Sequence, residues 1–274
     1  MPSGPAEIEV IRPPEGRRFR FALFDFDGTL SLLREGWQGV MIPMMVEVLE
    51  PVATGLDRDA LARLVTEDVE ETTGLPTIYQ TIRLAERVSE FGGTPRDPKA
   101  YKAEYLRRLL EHIKGRRGAV ASGQVEPDET LLAGARAFLE ALAGRDVVLC
   151  LASGTDEPYV LEEARLLEID RHFGRHIYGA RDDHEASSKS AVMERMLAEN
   201  RIPGDELLVF GDGFVEIANG KEVGGYAVAV ASDEAAGGGR VNQWKRDRLI
   251  RAGADMVVAD FTCHAQLVRL LFGR

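Results

Sequence analysis

Two carboxylates stand two residues apart in Asp25-Phe-Asp-Gly-Thr-Leu30, directly after the apolar run that begins at Phe19. On an extended chain, residues i and i+2 point the same way, and like charges so placed are costly unless a cation sits between them. The pair therefore points to a metal-assisted carboxylate site. A second candidate is Leu149-Cys-Leu-Ala-Ser-Gly-Thr155, read as a strand that ends in Ser153 and Gly154. A serine hydroxyl and the free backbone N–H groups of such a loop make a phosphate cradle. A third is Lys189, in Ala186-Ser-Ser-Lys-Ser190 at the opening of a helical pattern. A cation there opposes the positive end of the helix dipole and calls for an anionic partner. The fourth is Leu207-Leu-Val-Phe-Gly-Asp-Gly-Phe-Val-Glu216. Hard oxygen donors on a rigid strand end suit Mg²⁺, which takes one or two carboxylates and keeps several waters. Glu216 follows Asp212 by one helical turn and falls on the same side.

These residues need elements to bring them together. Apolar runs at Phe19 to Asp25, Val147 to Ala152, Leu207 to Phe210, Tyr226 to Ala231 and Met256 to Ala259 predict buried strands. Helical spacing appears between them, at Asp128 to Leu142, Glu157 to Leu167, Ser188 to Leu197 and after Gly213. Alternating strand and helix predicts an α/β fold, a mostly parallel sheet flanked by helices, with the site at the carboxyl ends of the strands. One stretch departs from that rhythm. Trp37 to Leu49, Asp57 to Val69, Thr77 to Phe91 and Pro98 to Lys114 are helical patterns with no strand between them, broken by Pro51, Gly74-Leu-Pro76 and Gly92-Gly-Thr-Pro95. The expected organisation is a core domain of residues 1–34 and 119–274, interrupted by a helical module over 35–118 that closes on the site. The proline-rich start, to about residue 17, reads as an extended lead-in.

Composition narrows the partners. The 274 residues are 45% hydrophobic and 29% charged, the balance of a globular protein, and carry a net charge of -11. Such an acidic chain repels nucleic acid and anionic lipid, and no window approaches the ~20 apolar residues of a membrane helix. The two cysteines read as buried structural thiols in a reducing compartment, and the N-terminus lacks a targeting pattern, so a cytoplasmic location is expected. The basic segment Arg240 to Arg251, with Trp244 inside it, reads as an amphipathic helix whose Val241, Trp244 and Leu249 pack inward.

Taken in order, the four motifs resemble the haloacid dehalogenase-like hydrolase superfamily over roughly residues 20 to 260. The resemblance implies a Rossmann-like core, and the helical stretch looks like that superfamily's C1 cap. By it, Asp25 would attack phosphorus to form an aspartyl phosphate, and Asp27 would act as acid and then base. Ser153, with the N–H of Gly154, would hold phosphoryl oxygens, and Lys189 would neutralise charge. Mg²⁺ would bind Asp25, the Asp27 carbonyl and Asp212. Glu216, where many relatives carry aspartate, would reach the metal through water or brace Lys189. Asp27 fits phosphatases and phosphomutases, since dehalogenase members lack an acid there. Thr73, Gln80 and Arg34 are candidate substrate contacts in or beside the cap. The implied reaction is phosphomonoester hydrolysis on a small metabolite such as a sugar phosphate or phosphoglycolate, by a monomer or small homo-oligomer. A phosphomutase and a catalytically silent binding module are the alternatives.

Overall fold

The computed structural model describes residues 8–181, 189–200, 203–233 and 239–273, the side chains of 189, 192, 195, 196 and 200 excepted. In chain order, β1 (Glu9–Val10) and β2 (Phe21–Phe24) are followed by four helices: α1 (Gln38–Leu49), α2 (Arg58–Thr72), α3 (Thr77–Glu90) and α4 (Pro98–Ala121). Then come α5 (Ala135–Ala143), β3 (Val148–Asp156), α6 (Glu157–Leu166), α7 (Asp170–Phe173), β4 (Ile177–Ala180) and α8 (Lys189–Asn200). The chain closes with β5 (Leu207–Gly211), α9 (Phe214–Glu222), β6 (Tyr226–Val230), α10 (Gln243–Arg251), β7 (Met256–Val258) and α11 (His264–Phe272). Among the described residues the strands form one sheet in the order β1-β7-β6-β5-β2-β3-β4. Every neighbouring pair is parallel except β1 with β7. This is the mostly parallel sheet flanked by helices that the alternation predicts.

The sheet is buried on both faces, which is why its strands are continuously apolar. On one face Phe24, Phe138, Phe210 and Phe261 form an aromatic cluster, with Phe24 stacked on Phe210 at 4.6 Å between centroids. This packing rigidifies the central strands β2 and β5, whose carboxyl ends carry the first and fourth motifs. The helices α1 to α4 have a separate core of Met41, Met44, Met45, Leu61, Val65, Leu84, Tyr105 and Leu109 among others. Local signals set their ends. The Asp57 side chain accepts from the Ala60 N–H at the start of α2, and Asp97 with Pro98 opens α4.

Several elements differ from the sequence reading. Residues 9 and 10 of the lead-in form β1, held at the sheet edge by antiparallel pairing with β7 and by Arg246 on Glu9. The pattern from Asp128 to Leu142 is α-helical only from Ala135, with a short 3₁₀ helix over Pro127–Thr130 before it. Leu131 bridges Ser31, and the Leu32 and Leu132 N–H groups donate to the carbonyls of Thr130 and Leu30, so tertiary pairing overrides the helical spacing. Strand β4 and helix α7, four residues each, are too short to stand out, and α11, which buries Leu267, Val268 and Leu271, is a further element beyond those the pattern reading gave. Helix α10 forms and buries Leu249, but Trp244 is 51% exposed rather than packed inward. Both cysteines are buried and free.

Candidate active site

The site is assembled from three strand ends, helix α10 and the helical cap. Strand β2 delivers the first motif, and the Asp25 N–H donates to the Phe210 carbonyl at 2.9 Å, continuing the β2–β5 ladder by one residue. Asp25 is thereby held beside the loop that follows β5. The chain then turns at Gly28, whose φ of 77° is unfavourable for residues with a Cβ, and a methyl group there would collide with the Asp212 carboxylate. Glycine at 28 is what allows the two acidic loops to meet.

Strand β3 does not end at Ser153 as expected. It continues to Asp156 through an irregular register against β4, so Ser153 and Gly154 lie on a bulged strand rather than in a loop. Thr155 Oγ1 donates to Asp27 Oδ2 at 2.9 Å, while Ser153 Oγ approaches the same oxygen more weakly at 3.4 Å. A methyl on Gly154 would lie 3.0 Å from the Leu75 carbonyl, in the connection between α2 and α3. The cap therefore touches the core at the serine–glycine corner.

Asp25, Asp27, Ser153, Gly154 and Asp212 all line one cavity of about 310 Å³, and Thr73, Gln80 and Arg34 line it too. One of the expected site residues stands apart. Glu216 is only 2% exposed and does not line the cavity, its carboxylate lying against Gly213 and near Gly74 of the cap. Lys189 begins α8, but its side chain lies outside the described residues.

Arg34 lines the cavity but is not simply a substrate contact. Its Nε and Nη2 donate to the two carboxylate oxygens of Glu163, both at 2.9 Å, and Nε lies 3.8 Å from Asp27 Oδ1. Glu163 is fully buried, and Tyr159 of the same helix, α6, places its ring beneath the guanidinium. Around this hinge, Arg116 donates to the carbonyls of Leu32 and Leu33, and Lys102 pairs with Asp156. Glu163 and Thr155 were not anticipated as site residues; Glu163 is 129 positions from its partner, and nothing in the local sequence links them. A third omission, Lys245 of α10, donates to Asp212 Oδ2 at 2.9 Å. Sequence did contain a signal for it: Lys245, like Lys189, sits in the first turn of a helix, against the dipole.

Burial raises the Asp27 carboxyl to about 7. Arg34 opposes that shift, the charges of Glu163 and Asp25 add to it, and the Thr155 hydroxyl again opposes it. A carboxyl so placed is divided between its acid and base forms near neutral pH, as a group that first gives and then takes a proton requires. Burial works against the Arg34 charge, but Asp27 and the paired bonds to Glu163 outweigh it and hold the guanidinium firmly protonated.

A divalent cation fits the donors present. Among the described residues no three His, Cys, Asp or Glu side chains cluster as a metal cage. Mg²⁺ does not need one, because two carboxylates, a backbone carbonyl and waters suffice. Asp25 and Asp212 line the same cavity, Gly28 leaves the space beside Asp212 clear of a side chain, and Asp212 already attracts the Lys245 ammonium.

A parallel sheet bearing a carboxylate-centred cavity under a helical lid defines a capped α/β enzyme. The chain belongs to the haloacid dehalogenase-like hydrolases, whose family model matches residues 19–224. Solved structures share the architecture. One described as a predicted phosphoglycolate phosphatase from Haemophilus somnus 129PT is 16% identical, covers 91% of this chain and 98% of its own, and superposes with a TM-score of 0.58. A predicted phosphatase from Clostridium acetobutylicum gives 16% identity, coverage of 92% and 99%, and a TM-score of 0.58. A HAD family hydrolase from Deinococcus radiodurans R1, solved with bound phosphate and sodium, gives 20%, 93% and 96%, and 0.54. At these identities the likeness is one of fold. No curated protein matches the chain. Among the described residues no helix is long and apolar enough to cross a membrane.

Proposed function

We propose that the chain is a magnesium-dependent phosphomonoesterase acting on a small phosphorylated metabolite. The observation that carries this reading is the meeting of Asp25, Asp27, Ser153 and Asp212, from three strand ends, in one capped cavity. In the proposed reaction the Asp25 carboxylate attacks phosphorus, a bond forms from its oxygen, and the ester oxygen departs with a proton from Asp27. Asp27, now ionised, takes a proton from the water that attacks the aspartyl phosphate, which returns Asp25 and releases inorganic phosphate. Asp27 is suited to both halves because burial holds its carboxyl near 7. Ser153 Oγ and the Gly154 N–H, from residues that line the cavity, would hold phosphoryl oxygens, and Lys189 is assigned to the same anion. Asp25, the Asp27 carbonyl and Asp212 would hold Mg²⁺, which when bound supplies charge neutralisation between nucleophile and phosphate.

The cap, residues 35–118 in this reading, supplies selectivity through Thr73 and Gln80, while Arg34 braces the hinge. A cavity of about 310 Å³ lies at the small end of the ~300–1,000 Å³ range of ligand pockets. That favours substrates the size of phosphoglycolate, the compound in the name of one structural neighbour, or a simple sugar phosphate. The test is a phosphate-release screen over small phosphate esters, with and without Mg²⁺, comparing the native chain with Asp25→Asn. Release that needs Mg²⁺ and disappears with Asp25→Asn is expected. Metal-independent release, or full activity in the variant, would refute the mechanism.

A further inference from the structure

Helix α10 contributes more to the cavity than a covering wall. Trp244, Lys245, Arg248 and Leu249 line it, so its first turns face the same space as Asp25 and Asp212. The helix is placed firmly. The Asn242 N–H donates to the Ala231 carbonyl at 2.8 Å, the Asn242 side chain accepts from the Lys245 N–H at 3.0 Å, and Leu249 is buried. Arg248 donates to the Glu70 carbonyl of α2 at 2.7 Å and lies over the rings of Phe214 and Trp244, tying α10 to the cap. Lys245 is thus held at the third position of a fixed helix, with its ammonium 2.9 Å from Asp212 Oδ2.

Two features set this pair apart from a surface salt bridge. Both side chains are largely withdrawn from solvent, 19% and 17% exposed, so their attraction is poorly screened. Lys245 also sits against the helix dipole, a position that favours anions. Its charge is matched instead by the carboxylate that the phosphatase reading assigns to the divalent cation.

We infer that Lys245 is a second resident cation of the phosphoryl site, neutralising Asp212 when no divalent ion is bound and facing the phosphate when one is. The inference rests on that reading of Asp212. Asp25, Asp27 and Asp212 bring up to three negative charges into one small cavity, and the ammonium offsets one of them. A divalent cation arriving at Asp212 meets a positive charge already in place, so the two compete for the same oxygen. With the metal seated, the ammonium is repelled from Asp212 and attracted to an anionic phosphate in the same cavity. Lys245 therefore weakens metal binding to the empty site and strengthens phosphate binding to the loaded one.

Calorimetric titration of the metal-stripped chain with Mg²⁺, and of the Mg²⁺-loaded chain with inorganic phosphate, reads both effects without turnover. An opposite charge within ~4–6 Å changes the proton affinity of a carboxylate by about tenfold or more, and its effect on a metal should be of that order. In Lys245→Gln, Mg²⁺ is expected to bind about tenfold tighter in the absence of phosphate, and phosphate about tenfold more weakly to the loaded protein. Lys245→Arg keeps the charge and should stay near the native values. Arg251→Gln removes the same charge from the far end of the helix and should change neither titration. An unchanged Mg²⁺ or phosphate affinity in Lys245→Gln would overturn the inference and leave the phosphatase reading standing. A native chain that takes up no Mg²⁺ would overturn both.

Discussion

Replacing Arg34 by methionine keeps the volume of the side chain's stem but removes the guanidinium that both oxygens of Glu163 accept from at 2.9 Å. Glu163 is 0% exposed, so no water can take the place of those donors without opening the hinge. Breaking a buried pair in this way costs ~3–5 kcal/mol, because the remaining charge is left in low dielectric. Arg34→Met should therefore destabilise the chain by about 4 kcal/mol at pH 7. Urea unfolding of native chain and variant, followed by circular dichroism and by the fluorescence of Trp37 and Trp244, measures the difference. The double change Arg34→Met with Glu163→Leu should recover most of the loss, since an apolar pair of similar volume needs no charge partner. A loss below about 1 kcal/mol would refute the argument. Altered KM with native stability would instead return Arg34 to the role of substrate contact.

Other outcomes follow from the same geometry. Gly28→Ala forces a Cβ into the Asp212 carboxylate at a left-handed turn, and should cost about 1–3 kcal/mol and weaken Mg²⁺ binding measured by calorimetry. In magnesium-free buffer Asp27 should make stability fall as pH rises from about 4 to about 7, because the folded carboxyl, raised to about 7, holds a proton that the unfolded one has lost. The difference between native chain and Asp27→Asn in urea midpoints over that window isolates this slope, which cannot exceed ~1.4 kcal/mol per pH unit. Asp68→Leu strips the cap of a buried carboxylate that accepts from Arg83 and Arg87, leaving two arginines without their shared partner; a loss of about 2–4 kcal/mol in thermal or urea unfolding is expected. Gly154→Ala narrows the serine–glycine corner against the Leu75 carbonyl, and steady-state kinetics should show a raised KM for a phosphate ester with stability little changed.

Much of this was legible in the chain itself. The central strands announce themselves because a sheet covered on both faces must be apolar at every position, and that is a local property of residues 21–24, 207–211 and 226–230. The four cap helices are equally local, since each has its own breaker or cap. Asp25, Asp27 and Asp212 could be named because an acid at the end of an apolar strand has few bland explanations. What remained hidden was decided by contacts between distant residues. Leu131 leaves the helical pattern because Ser31 pairs with it, and β1 forms because an edge of β7 is open to it. Burial of Asp27, which sets its proton affinity, depends on Arg34, Glu163 and Thr155 converging from three separate stretches. Lys245 reaches Asp212 only because α10 docks over β6. Residue type and spacing are short-range information and suffice to say which groups can do chemistry; dielectric, charge pairing and proton affinity are set by what surrounds a group in three dimensions, and only the folded chain supplies that.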